Sequence, residues 1–259
     1  MKRSGEIVDT RRKKILEILN KTGDVRVPDV ASHLKVSEIT IRRDLQFLED
    51  SGLIERYYGG ARFHKEKMTE KDELALSRKA LAAYAASLIS DGDTIFINTS
   101  GTVLRMLEYI KARDVTVITN NANAVAIPKS HTVTVILTGG ELYNLKGTLV
   151  GDFAYNNINK VTAKKSFIGC SGLSMENGMT TEILNEVVLN RAMMTRTMGE
   201  TYIIADHTKI GNNSSFVSCE LENIHNVITD SLADPSQIEA MRSKGIHVDL
   251  ADIRATAQL

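Results

Sequence analysis

From residue 93 onward the chain repeats one pattern. A short run of β-branched and other apolar residues is followed by a polar turn, and often by a segment with helical spacing. DTIFINT leads into SGTVLRMLEYI, VTVIT into NANAVAIP, and NVITD into PSQIEAMRSKG. TVTVILTGG, KSFIGCSGL, TYIIAD and IHVDLA supply further strands, and a helix is expected from Glu182 to about Met198. Short strands alternating with helices predict an α/β domain with a mainly parallel sheet. A helix-like run, ELALSRKALAAYAASLI, precedes it, and the polar stretch FHKEKMTEKDE comes before that.

In a parallel sheet of this kind, ligands sit outside the carboxyl ends of the strands. Five polar loops fall there. NTSGT (Asn98, Thr99, Ser100, Gly101, Thr102) joins a strand to a helix, where free N–H groups and the positive end of the dipole suit an anion. The others are Thr119, Asn120 and Asn121; Thr138, Gly139, Gly140 and Glu141; Cys170 to Gly172 with the stretch Asn177 to Glu182, including Thr180 and Thr181; and ADHTKIG, which delivers Lys209. Any one of these is more often a capped turn than a binding loop. Five on successive strands define a candidate effector site.

The first 67 residues differ in character. They hold 15 Lys+Arg against 11 Asp+Glu, although the whole chain of 259 residues is neutral, and a basic end is where a polyanion partner is sought. RRKKILEILNKTG places Ile15, Leu16, Ile18 and Leu19 on a helix that stops near Gly23. VRVPDVASHLKV starts a second, with Pro28 in its first turn and Val30, Ala31 and Leu34 inward. Ser37 caps a third. At about 100° per residue, Ile41, Leu45 and Leu48 gather within roughly 60° as a buried stripe. Thr40, Arg42, Arg43 and Gln46 take the opposite side, with Ile39 among them. Asp44, at the stripe's edge, is placed to buttress an arginine. LIERYYGGARFH then reads as a hairpin turning at Gly59-Gly60, which makes the expected unit a winged helix-turn-helix. Its third helix can enter a major groove, where arginine offers a bidentate fork to guanine or phosphate. Arg56, Tyr58 and Arg62 on the wing are placed for backbone or minor-groove contacts. The competing reading has these arginines pairing with Asp44, Glu49 and Glu55 on a solvated surface.

VSEITIRRDLQFLEDSGLIERYYGGA resembles the N-terminal signature of the DeoR family of bacterial transcriptional regulators at Val36, Ser37, Thr40, Ile41, Arg42, Arg43, Asp44, Leu45, Leu48, Gly52, Leu53, Arg56, Gly59, Gly60 and Ala61. Tyr58 stands where the family commonly has histidine. From about Arg11 to Asp249 the chain is similar to the family plan. That resemblance implies a sensor domain with the fold shared by ribose-5-phosphate isomerases, glucosamine-6-phosphate deaminases and CoA transferases, sensing a phosphorylated sugar or related metabolite. Gly139, Gly140, Gly169, Gly172, Gly178, Thr180, Thr181, Asp206 and Lys209 resemble family sensor motifs. Two positions depart from them. Many members read Asp-x-Gly-Thr-Thr where this chain begins with Asn98, and a common lysine is replaced by Asn190, next to Arg191.

The expected organisation is a winged helix-turn-helix DNA-binding domain over 1–67 and an effector-sensing α/β domain over 68–259. The expected function is a repressor of carbohydrate-metabolism genes, acting on a double-stranded operator as a homodimer or homotetramer. A function of another class is a sugar-phosphate isomerase with an accessory DNA-binding domain. Isomerisation needs a carboxylate base and an acid or cation near the substrate carbonyl. FIGCSGLS, which falls where related isomerases carry paired aspartates, has no acid, leaving Glu141, Glu182 and Glu186. No catalytic set, metal site, P-loop or cofactor motif is signalled. No stretch nears the roughly 20 apolar residues of a membrane span, and the start lacks the apolar stretch of a signal peptide, so a cytoplasmic protein is expected. Cys170 and Cys219 are expected to be reduced, packed thiols.

Overall fold

The computed structural model describes residues 2–51, 54–63, 69–143 and 147–253. Gly52 and Leu53 of the signature, and 64–68 of the polar stretch after the hairpin, lie outside them. The chain forms two compact units, dividing after Thr69.

The N-terminal unit contains α1 (Lys2–Thr22), β1 (Asp24–Arg26), α2 (Val27–Leu34), α3 (Glu38–Asp50), β2 (Ile54–Tyr57) and β3 (Gly60–Phe63). Its core is Ile15 and Leu19 from α1, Val27, Val30 and Ala31 from α2, and Ile41, Leu45 and Leu48 from α3, closed by Ile54 and Ala61 of the hairpin. Pro28 sits in the first turn of α2, where its missing N–H has no helical partner to lose. The Ser37 hydroxyl accepts from the Thr40 N–H and caps α3. Between these helices Lys35 takes φ 53°, and its N–H and that of Val36 return to carbonyls of α2. Strand β1 was not legible in the sequence: three residues pair antiparallel with β3, giving the sheet order β1-β3-β2. The hairpin also turns one residue earlier than expected, at Tyr58-Gly59. Gly59 has φ 90°, whereas Gly60 already belongs to β3, where a side chain would strike the Val25 carbonyl and the Tyr57 ring.

The C-terminal unit opens with α4 (Glu70–Ser87), so the end of the expected polar bridge is already helical. Then follow β4 (Thr94–Ile97), α5 (Gly101–Leu104), β5 (Val115–Thr119), β6 (Val133–Leu137), β7 (Glu141–Tyr143), β8 (Thr148–Val150), α6 (Gly151–Asn159) and β9 (Ala163–Gly169). The chain continues through β10 (Gly172–Ser174), β11 (Gly178–Thr181), α7 (Leu184–Thr195), β12 (Thr197–Ile204), β13 (Phe216–Cys219), β14 (Asn226–Asp230), α8 (Pro235–Ser243) and β15 (His247–Ala251). Seven strands form one parallel sheet in the order β15-β14-β12-β9-β4-β5-β6. Alternate residues of its central strands feed two cores. Ile95, Ile97 and Phe167 pack with α4 and α5; Phe96, Ile168 and Ile203 pack with α6, α7 and α8. Burial on both faces explains why these strands read as continuous apolar runs.

Several expected elements are shorter or divided. The helix expected over SGTVLRMLEYI is one α-turn followed by a 3₁₀ turn at Arg105–Glu108, and NANAVAIP gives a 3₁₀ turn at Ala122–Ala126. The helix expected to reach Met198 ends at Thr195, because Thr197 already pairs with Ala163 in the sheet. KSFIGCSGL is split: β9 ends at Gly169, and β10 joins β11 and β13 in a separate antiparallel sheet.

Candidate DNA interface and candidate effector cleft

In the N-terminal unit, Arg42, Arg43 and Gln46 are exposed on α3 and Thr40 is partly exposed, opposite the buried stripe. Arg42 pairs with Glu38 one turn earlier at 3.3 Å, an exposed pair of little energetic weight. Arg43 makes no hydrogen bond or ion pair among the described residues, so its fork is unengaged. Gln46 is more committed than the sequence suggested. Its amide donates to Asp50 at 2.9 Å and its carbonyl oxygen accepts from Arg56, tying α3 to the wing. Arg56 also pairs with Glu49, and Arg62 with Glu55. Tyr58 stands fully exposed at the tip of the wing. Ser37 is occupied as the cap. Asp44 is buried and buttresses arginines as expected, but they are Arg11 and Arg12 of α1, with Arg12 also stacked 3.6 Å over the Phe47 ring. These contacts fix how α3 is presented.

In the C-terminal unit the strand order reverses between β4 and β9: β5 and β6 extend one way, and β12, β14 and β15 the other. A cleft of about 400 Å³ opens at the carboxyl ends of that pair, the place where an open parallel sheet binds ligands. It is lined by Asn98, Thr99, Ser100, Gly101 and Thr102 after β4, by Gly169, Cys170 and Ser171 after β9, and by Thr181, Glu186 and Lys209. Ala75 and Arg78 of α4 and Arg105 complete the wall. Gly169 is required here, because a side chain would collide with Ser100.

Asn98 is a positioning residue. Its carbonyl oxygen accepts from the N–H groups of Gly169 (3.0 Å) and Ser100 (3.3 Å), while its amide donates to the Gly169 carbonyl (2.8 Å) and to Asn190 Oδ1 (3.0 Å). The two departures from the family pattern therefore face each other, one amide bonded to another inside the fold. Glu186 carries the carboxylate of the cleft. Thr99 and Thr181 donate their hydroxyls to its two oxygens at 2.8 and 2.7 Å, and the remaining lone pairs can accept from a ligand. On the other side, buried Asp206 accepts from Arg78 Nε at 3.1 Å and lies 3.7 Å from Lys209 Nζ. Burial pushes the Asp206 carboxyl upward, but Lys209, the Thr208 hydroxyl and Arg78 outweigh it and hold the group below its ordinary range. Arg105 is exposed and makes no ion pair or hydrogen bond among the described residues. Burial raises the Cys170 thiol to about 12 and the Cys219 thiol to about 11, so both are packed, un-ionised groups.

The remaining expected site residues lie elsewhere. Thr119 and Asn120 are buried at the end of β5, where the Asn120 amide donates to the Leu149 carbonyl; their neighbour Asn121 reaches the Thr99 carbonyl and steadies the cleft loop. Gly139 and Gly140 turn the chain into β7, and a side chain on Gly140 would strike the Val150 carbonyl. Glu141 lies beside Gly151, on the exposed β7. Gly172 and Thr180 are bonded to each other across β10 and β11. Neither Glu141 nor Glu182 lines the cleft. Cys170 and Ser171 come from the loop Cys170 to Gly172 that the sequence marked, whereas Arg78 and Arg105 were missed, since nothing in their local sequence separates them from surface or helix residues.

The sequence pattern of the DeoR-like helix-turn-helix domain matches residues 11–67, and that of the DeoR C-terminal sensor domain matches 75–231. The chain belongs to the DeoR family of transcriptional regulators. It is 31% identical to the HTH-type transcriptional regulator YulB of Bacillus subtilis strain 168, over 93% of this chain and 96% of that one. It is 32% identical to the HTH-type transcriptional regulator GolR of Listeria innocua, covering 93% and 98%, and 29% identical to the lactose phosphotransferase system repressor of Staphylococcus aureus, covering 90% and 96%. Among solved structures it is similar to ribose 5-phosphate isomerase from Plasmodium falciparum (17% identity, 52% of each chain, TM-score 0.35) and to eIF2B beta from Chaetomium thermophilum (19%, 57% and 47%, TM-score 0.39). No helix among the described residues is long and apolar enough to cross a membrane.

Proposed function

We propose that this DeoR-family chain is a cytoplasmic, non-catalytic repressor of carbohydrate genes. Residues 1–67 bind operator DNA, and 68–259 sense a small phosphorylated sugar. The carrying observation is the cleft at the β4/β9 reversal, which sets Arg78, Arg105 and Lys209 against Glu186: cations for a charged group, a carboxylate for hydroxyls. The names of GolR and YulB as transcriptional regulators support the regulatory role, and that of the lactose phosphotransferase system repressor supports repression. A non-catalytic role is supported by the state of the groups present. Cys170 is un-ionised, and Glu186 is engaged by two hydroxyls. On DNA, α3 enters the major groove with Arg42 and Arg43 toward bases or phosphates, and Tyr58 and Arg62 of the wing lie along the backbone. One such helix makes a small interface, so a homodimer or homotetramer on repeated half-sites supplies the remaining affinity.

The test is a thermal-shift screen of sugars and sugar phosphates, with any hit then titrated into the protein bound to its operator. A phosphorylated sugar is expected to raise the unfolding temperature and change operator affinity at least tenfold. Lys209→Ala should weaken its binding by about tenfold or more, the equivalent of one charge-assisted hydrogen bond. An uncharged effector would overturn the anion reading, and aldose–ketose phosphate turnover abolished by Glu186→Gln would overturn the non-catalytic one.

A further inference from the structure

Helix α4 is the first element of the sensing unit and follows directly, in the chain, on the segment that joins it to the helix-turn-helix unit. It is also a wall of the cleft, through Ala75 and Arg78. Arg78 lies eight residues from Glu70, two turns or about 12 Å along a continuous helix. Its Nε is spent on Asp206, while its terminal nitrogens make no further hydrogen bond among the described residues. The preceding residue, Ser77, places its hydroxyl 3.5 Å from His207 Nδ1, and His207 is in turn held by buried Asp230 at 3.0 Å. Both points of attachment join α4 to the loop that follows β12.

We propose that Arg78 is the residue through which an anion in the cleft acts on α4, and so on the chain leading to the helix-turn-helix unit. Of the three cleft cations, Arg78 is on α4, Arg105 follows α5, and Lys209 follows β12. All three cations line one small space, and Asp206 pairs with Arg78 and Lys209 and so offsets part of their charge. An anion replaces mutual repulsion with shared attraction and takes up the free fork of Arg78, drawing α4 toward the wall that carries Arg105. A ligand shifts an equilibrium only by what it contacts differently in the two states, and the Arg78–anion contact is that difference. The inference rests on the cleft being an anion-binding effector site.

The experiment is hydrogen exchange on the full chain, with inorganic phosphate against chloride at matched ionic strength, for wild type, Arg78→Gln and Arg105→Gln. In wild type, phosphate should slow exchange both at 98–105 and in the first two turns of α4, by at least threefold. Arg105→Gln should need more phosphate but keep the α4 response at saturation. Arg78→Gln should keep the slowing at 98–105 and lose it at α4. If Arg78→Gln does not fold, Arg78→Lys, which retains the charge facing Asp206 but not the fork, should show a reduced α4 response. Undiminished slowing of α4 in the folded Arg78 variant, or slowing at 98–105 alone in wild type, overturns the proposal. Phosphate without effect anywhere in wild type overturns the anion reading of the cleft itself, and this inference with it.

Discussion

Replacing Asp44 with asparagine should unfold the DNA-binding unit more readily without touching the face of α3 that carries Arg42 and Arg43. Asp44 is 2% exposed and receives Arg11 and Arg12 from α1. Asparagine has the same shape but removes the charge both guanidiniums address. Each charge-assisted hydrogen bond is worth about 1.5–3 kcal/mol, and removing one partner of a buried ion pair costs about 3–5 kcal/mol. Here the arginine side chains remain 17% and 21% exposed, so water takes up part of their charge, and the amide oxygen still accepts one bond. About 2–3 kcal/mol remains. Amide exchange of α1–α3 in the intact protein reads this directly, as a loss of protection of about 30- to 140-fold, at roughly tenfold per 1.4 kcal/mol. Exchange in the seven-stranded sheet should stay within twofold. A loss below about threefold in α1–α3 would show that Asp44 is not the joint between the first and third helices.

Two further perturbations follow from the same reasoning. Lys35 holds φ 53° between α2 and α3, a conformation that costs a non-glycine residue about 1 kcal/mol, so Lys35→Gly should be neutral or stabilising by up to that amount in chemical denaturation; a loss of 1 kcal/mol or more would contradict it. Asp206 has a folded pKa held below its ordinary 3.8, so its contribution to stability is complete above that value and is lost as pH falls below it. The unfolding midpoint of the Asp206→Asn protein should therefore decline less steeply below pH 3.8 than wild type, and parallel curves would refute the assignment.

The sequence was most readable where one element carries its own signal. The stripe Ile41, Leu45 and Leu48 and the cap Ser37 identify α3 by spacing alone, and β-branched runs mark the parallel strands. It was least readable where position depends on partners far along the chain. Strand β1 exists because Asp24–Arg26 meets β3, and β10 leaves the line of β9 because Gly172–Ser174 pairs with β11. The cleft follows the same division. The loop Asn98–Thr102 announced itself through small polar residues after a strand, whereas Arg78 and Arg105 look like any solvated helical arginine until the fold turns them toward one space. Asn98 shows the limit from the other side: it lines the cleft, yet its amide is consumed in stitching β4 to β9 and α7.

The central claim is that α3 reads DNA. Selection of duplexes from a random-sequence pool by the intact protein, at fixed salt, tests it most directly, followed by affinity measurements on the enriched sequence. Wild type should enrich repeated half-sites spaced by whole helical turns. Arg42→Ala and Arg43→Ala should each weaken binding to that sequence by about 1–3 kcal/mol while folding is unchanged. No enrichment over non-specific binding, or an enriched sequence bound equally by wild type and both variants, would contradict the account.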